Sequence, residues 1–300
     1  MTDFTAWRSL ATGERIVPPK IYHFGGADSD NDVVDTIYEY DPASDNISTQ
    51  SATLPVAVQE AVSGAVGGKI YVLGGENDSN DAVDTIYEYD PVADSISRQL
   101  ETLPGEVENA ASAVVSGKIY VLGGEDDDFN TLDTIYGYDP VRGSVSTQSA
   151  TLPTAVDDAA AAAVDGKVYH FGGDDSTAIH EYDPATDSIT TQSATFSDEY
   201  NRGTATAVDG RIYLLGDRTT TIFEYDPASD SLSTQSATLP DARQRGTAAA
   251  AGGDVYHLAG SDSGFDEQDT IYEYDPASDN ISTQSATLPT ALESGTASSV

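Results

Sequence analysis

A tyrosine followed by Asp-Pro recurs at Tyr40, Tyr89, Tyr138, Tyr182, Tyr225 and Tyr274, at spacings of 49, 49, 44, 43 and 49 residues. Six copies of one unit therefore fill most of the chain, and such a chain folds by stacking a small unit against its own copies. Upstream of each copy stands a second block: KIYHFGG from Lys20, KIYVLGG from Lys69 and Lys118, KVYHFGG from Lys167, RIYLLGD from Arg211 and DVYHLAG from Asp254. A third block follows, as in NISTQSATLP from Asn46 and again from Asn280. These runs have strand length, are rich in Ile, Val, Thr and Tyr, and end at Gly-Gly, Asp-Pro and Leu-Pro turn signals. Helical periodicity is missing nearly everywhere. Four strands per unit are predicted: a small apolar one (110–115 or 159–164, for example), the Ile-Tyr run before Gly-Gly, the DTIYEYD run and the SISTQ run.

Four-stranded units of this length, with a double glycine ending the second strand and an aromatic in the third, resemble kelch repeats. The resemblance covers residues 20–300 and implies an all-β fold, a six-bladed β-propeller with blades standing around a central channel. One departure is that the tryptophan usual in a kelch fourth strand is replaced by Ile47, Ile96, Val145, Ile189, Leu232 and Ile281, which predicts a slimmer blade interface. The ring is expected to close through its ends. The terminal LESGTASSV, residues 292–300, aligns with the first strands in NRGTATAV and QRGTAAAA, while the first unit begins at its second strand. Blade 1 is thus completed by 292–300, and residues 1–19 form an arm outside the repeat.

Composition sets limits on partners. Asp and Glu total 51 against 13 Lys and Arg, a formal net charge of −38. Such a charge repels phosphate backbones and anionic lipid, so no nucleic-acid binding and no membrane insertion are expected. No apolar run is long enough to span a bilayer, and no secretion signal is visible in MTDFTAWRSL. The absence of cysteine excludes disulfides, thiolate chemistry and the Cys–Tyr crosslink that a kelch-type copper–radical oxidase needs. Nine Arg against only four Lys, with Asp as the main acid, resembles the composition of proteins of extreme halophiles. At molar salt the Debye length is about 3 Å, which screens the repulsion.

Candidate functional residues are those that break the sixfold monotony. Glu60, Asn109, Asp158, Arg202, Arg245 and Ser294 occupy equivalent positions just ahead of the inner strands and are predicted to ring one channel mouth. There the arginines either pair with neighbouring carboxylates and fix blade register, or hold a carboxylated or hydroxyl-rich ligand. Arg202, Arg211, Arg218, Arg243 and Arg245 cluster in the two units that depart most from consensus, where Gly-Gly becomes Gly216-Asp217. Asp28, Asp30 and Asp32 alternate in an acidic loop and weakly match a calcium loop, although Val33 stands where that loop needs glycine. No other cofactor is expected. Three of the four histidines, His23, His170 and His257, share one strand position and read as variants of Val and Leu. In the arm, Phe4, Trp7 and Leu10 make one apolar stripe at helical spacing and are the candidate anchor to a protein assembly.

These features favour a non-catalytic recognition or display module that presents a propeller face to a protein or cell-surface glycan. An attachment or decoration protein on the virion surface of a virus infecting halophiles fits the composition and the missing signal. The alternatives are a cytoplasmic kelch adaptor and a kelch-type sugar epimerase or mutarotase, whose scattered Arg, Glu and His leave no linear motif.

Overall fold

The computed structural model describes residues 19–174 and 176–300. They form six four-stranded antiparallel blades in chain order, each running from the axis outward. Blade 2 is typical, with Val62–Val66 innermost, then Lys69–Leu73, Ile86–Asp90 and Ser95–Arg98 outermost. Blade 1 is assembled from both ends, because Thr296–Ser299 pairs antiparallel with Ile21–Phe24 in the register Ile21 to Ser299 and Phe24 to Thr296. No helix among the described residues is long and apolar enough to cross a membrane.

Each blade is a thin sheet that cannot bury its faces alone, so the core is divided among the six interfaces. Tyr22, Phe24 and Ile37 of blade 1, for instance, share a cluster with Ile70, Val72, Tyr87 and Tyr89 of blade 2. Ile21, Tyr38 and Tyr40 join Ala249, Tyr256 and Leu258 of blade 6, which completes the ring. One contact repeats at every interface: the second-strand tyrosine of one blade meets the Tyr-Asp-Pro tyrosine of the next. Tyr22–Tyr89, Tyr71–Tyr138 and Tyr120–Tyr182 have ring centroids 5.5 Å apart, and Tyr169–Tyr225, Tyr213–Tyr274 and Tyr256–Tyr40 are at 5.6 Å. These tilted and edge-on pairs are favoured by the ring quadrupoles. Ile47 and Ile96, at the fourth-strand position where a kelch repeat usually has tryptophan, pack around two of these pairs.

The double glycine brings neighbouring blades into backbone contact. A Cβ on Gly25 would lie 2.1 Å from the Val58 carbonyl oxygen of blade 2, to which Gly26 donates at 2.9 Å. Only glycine permits that approach at φ +60°.

A second connection explains the downstream block. Five residues after the tyrosine, an Asp in the left-handed region accepts the tyrosine hydroxyl and two N–H groups of the preceding blade. Asp94 accepts Tyr89 at 3.2 Å, Ser51 at 2.9 Å and Ala52 at 3.2 Å. Asp45, Asp187, Asp230 and Asp279 do the same for Ser285-Ala286, Ser149-Ala150, Ser193-Ala194 and Ser236-Ala237. The TQSA sequence is thus a docking strip for the next blade's Asp. Burial raises the Asp94 carboxyl, but the Ser51 and Ala52 amides and the Tyr89 hydroxyl outweigh it and hold it below the usual range. Blade 3 lacks this staple. Gly143 stands in place of the Asp, and the Tyr138 hydroxyl is buried without a partner.

His23, His170 and His257 are at most 1% exposed, and neither ring nitrogen of any of them has a partner. Gly295 makes the room, since a Cβ there would sit 2.4 Å from His23 Cε1. Burial lowers the three from the ordinary 6.5 to about 4, 3 and 3 respectively.

Two predictions follow from these contacts. Gly143→Asn should accept the Tyr138 hydroxyl without placing a second charge beside Glu101, and raise stability by about 1 kcal/mol in urea unfolding. Asp94→Ala, which strands three donors, should lower it by about 2 kcal/mol; equal stability of both variants would refute the staple. The histidines are neutral when folded, whereas the unfolded chain protonates them below about pH 6.5, so their contribution is present above that pH and is lost as pH falls toward 4. The variant His23→Val, His170→Val, His257→Leu copies Val72, Val121 and Leu214 at the equivalent positions. Between pH 7.5 and 5.5 it should lose less stability than the parent, by on the order of 1 kcal/mol per histidine. Identical pH slopes would show that the imidazoles are not held neutral.

Candidate functional site

The chain enters each inner strand through one residue in the left-handed region: Glu60, Asn109, Asp158, Arg202, Arg245 and Ser294, with φ between 50° and 56°. Their backbones form a closed cycle. Asn109 donates its N–H to the Glu60 carbonyl at 3.1 Å, Asp158 to Asn109 at 3.0 Å, and Arg202 to Asp158 at 2.9 Å. Arg245 donates to Arg202 at 2.7 Å, Ser294 to Arg245 at 2.8 Å, and Glu60 closes the cycle onto Ser294 at 2.6 Å. This conformation costs a residue with a Cβ roughly 1–2 kcal/mol, least for Asn and Asp. Glu and Arg are poor choices for it, and the backbone cycle needs none of their side-chain atoms. Their identity therefore bears on what the mouth does with its side chains.

Those side chains surround a cavity of about 110 Å³. Arg202 Nε donates to Asp158 Oδ2 at 2.7 Å, and its terminal nitrogens make no hydrogen bond among the described residues. Arg245 Nη1 lies 3.2 Å from Glu60 Oε1 and 3.7 Å from Glu293 Oε1. The two side chains are 25% and 27% exposed, so each guanidinium is positioned by a carboxylate and still open to solvent. Asn109 Nδ2 donates to Glu60 Oε2 at 2.8 Å. Burial pushes Glu60 up to about 7, with Glu76 and Asp158 adding to the rise and Arg245 opposing it.

Outside the ring lies a tier of polar residues drawn from two further repeat positions, one before the ring residue and one after Gly-Gly. Backbone pairing joins Gln59 to Glu76, Glu108 to Glu125, and Gln244 to Ser261. Burial together with Glu76, Glu60, Glu125 and Asp127 pushes Glu108 up to about 8. Glu76, Glu108, Asp157 and Asp174 escaped the sequence reading because they were scattered among scaffold acids. Aligning the residue before each ring position would have found Glu108 and Asp157.

The remaining candidates lie elsewhere. Arg243 is 2% exposed, donates to the Tyr272 hydroxyl at 2.8 Å and to Thr270 Oγ1 at 3.1 Å, and lies over the Tyr272 ring. With Arg218, whose Nε donates to Gln244 Oε1 at 3.1 Å, it borders a separate cavity of about 140 Å³ beside the exposed Phe265. Arg211 does not join the arginine cluster. It sits at the opposite end of its strand and pairs with Glu224 at 2.7 Å, as Lys20, Lys69 and Lys167 pair with Glu39, Glu88 and Glu181. Asp28 Oδ1 caps its own loop by accepting the N–H groups of Asp30 and Asp32. Asn77, Asp126 and Asp262 repeat that turn, which accounts for the side-chain acceptor at position 28. Among the described residues the converging carboxylates are instead Glu60, Glu76 and Glu108, and Asp157, Asp158 and Asp174. Phe4, Trp7 and Leu10 lie outside the described residues.

The KLHDC2/KLHL20/DRC7 Kelch-repeats domain matches residues 12–173 and, in a second placement, 61–235. No curated protein sequence matches the chain. The solved structure described as "Structure of YjhT" is similar with a TM-score of 0.72, covering 89% of this chain and 97% of that one at 16% identity, a likeness of fold. With six Gly-Gly-type, Tyr-Asp-Pro blades closed into a ring and a kelch-domain match over more than half its length, the chain belongs to the kelch-repeat family.

Proposed function

We propose that this kelch propeller is a binding module whose channel mouth takes a small carboxylated, hydroxyl-rich ligand, such as a uronic acid or acidic amino sugar at the end of a glycan. The observation that carries the reading is the pair Arg202 and Arg245. Each is held in an unfavourable backbone conformation, braced by a carboxylate and partly open above the same cavity. A guanidinium braced on one edge loses little freedom when its other edge forks onto a carboxylate. Asn109 and Asp158 offer the donors and acceptors that sugar hydroxyls need. The acidic remainder of the surface rejects polyanions, which confines anion recognition to a single small ligand group.

Such a module serves equally as an attachment or decoration protein of a virus of halophiles and as an intracellular adaptor. The acid-rich, lysine-poor composition favours the first setting. A second chemical reading, anomer or epimer exchange at the same mouth, is favoured by Glu60, which at about 7 is matched to general acid–base work near neutral pH.

One NMR experiment tests both. With a panel of uronic acids and acidic amino sugars, saturation-transfer signals from the ligand are expected for the parent and are expected to fall at least tenfold for Arg202→Ala and Arg245→Ala. Exchange cross-peaks between anomers would select the catalytic reading. Signals unchanged by either substitution would remove the channel mouth as the site.

A further inference from the structure

Two triads of carboxylates flank the mouth, and both draw on the same three repeat positions: the ring residue, the residue before a ring position and the residue after Gly-Gly. In the triad Asp157, Asp158 and Asp174 the protein itself provides the counter-groups. Arg202 Nε lies 2.7 Å from Asp158 Oδ2, and Asn201 Nδ2 donates to Asp174 Oδ1 at 2.8 Å. The triad Glu60, Glu76 and Glu108 is built differently. One oxygen from each lies within 4.8 Å of the others. Arg245 reaches only Glu60, and Gln59 donates to Glu76 Oε1 at 2.6 Å. Glu108 is 4% exposed, and its Oε2 is buried with no hydrogen-bond partner. Among the described residues no Lys or Arg pairs with Glu76 or Glu108.

A buried carboxylate without a donor, facing like charges, is relieved either by a proton or by a cation, and a cation relieves all three converging carboxylates at once. We infer that Glu60, Glu76 and Glu108 together hold one Ca²⁺ between blades 2 and 3 at the channel mouth. The donor set is oxygen alone, which suits a hard cation and excludes the imidazole and thiolate preference of zinc and copper. Ca²⁺–oxygen distances of about 2.3–2.6 Å place two ligands of one ion no more than about 5 Å apart, in keeping with the spacing of this triad. Three protein carboxylates leave positions for water, as calcium's flexible coordination allows. Glu76 and Glu108 lie outside the arginine cavity and Glu60 lines it, so the two readings share that one residue, and substitutions at Glu76 and Glu108 test the ion alone.

Calorimetric titration of the full chain with CaCl₂ tests it, in about 1 M KCl so that diffuse attraction to the acidic surface is screened. One saturable Ca²⁺ per chain is expected, with a rise in melting temperature of about 4 °C at a hundredfold excess over Kd. Glu108→Gln should abolish both. Glu76→Gln, at a half-buried position, should do the same and keeps the test decisive if the first variant fails to fold. Asp28→Asn, in the exposed loop, should leave both intact. Absence of a saturable site in the parent would overturn the inference, as would uptake that survives Glu108→Gln or Glu76→Gln, or uptake lost in Asp28→Asn.

Discussion

Each blade exists because a tyrosine of its neighbour lies against it. The pair formed by a second-strand tyrosine and the next blade's Tyr-Asp-Pro tyrosine repeats six times within 0.1 Å, from 5.5 to 5.6 Å. Around it collect the aliphatic residues of the two facing sheets. A four-stranded sheet of this size has no interior of its own, so cohesion is a nearest-neighbour property summed around a circle. The strand 296–299 matters for the same reason: without it the two interfaces of blade 1, with blades 6 and 2, lose their inner edge. The Asp staples make the contact directional. Each carboxylate gathers a hydroxyl from its own blade and two amides from the one before, so a blade rotated out of place would strand three donors at once.

Because cohesion resides largely between the blades, side chains at the axis add only local ties, such as Arg202 to Asp158, Arg245 to Glu60 and Ser63 to Thr296 and Ser298. Its ring is made by backbone, with every N–H of the cycle engaged by a neighbouring carbonyl. Six positions with interchangeable backbone roles carry Glu, Asn, Asp, Arg, Arg and Ser. That diversity, within a chain whose second-strand and Tyr-Asp-Pro blocks repeat closely, is where selection for recognition is free to act. The net charge of −38 acts as a solvating coat over the scaffold, and it sharpens the contrast with two arginines at the mouth.

Blade number, strand order and ring closure were legible in the sequence because each depends on the repeat spacing and on turn residues that act locally. The mouth residues were legible for the same reason: a position equivalent in six copies of a ring must itself form a ring. What the sequence hid depends on proximity between copies. Arg243 reads as a surface cation but is buried on Tyr272, because it stands at the interior repeat position that Val58, Val107, Val156, Tyr200 and Leu292 fill in the other copies. Glu108 reads as one of 51 acids, and only the meeting of blades 2 and 3 buries it against Glu60 and Glu76. Asp28 reads as a ligand, and its side chain caps a turn that four loops share.

The molecule divides into a repeated scaffold and a mouth whose backbone cycle uses no side-chain atom. Replacing Glu60, Asp158, Arg202, Arg245 and Ser294 together with Asn, the residue already present at Asn109, tests that division most directly through paired measurements of melting temperature and acidic-sugar binding. The account predicts a melting temperature equal to or above that of the parent, since Asn suits the left-handed backbone better than Glu or Arg, together with complete loss of binding. A uniform ring that melts well below the parent, or one that binds as the parent does, would contradict it.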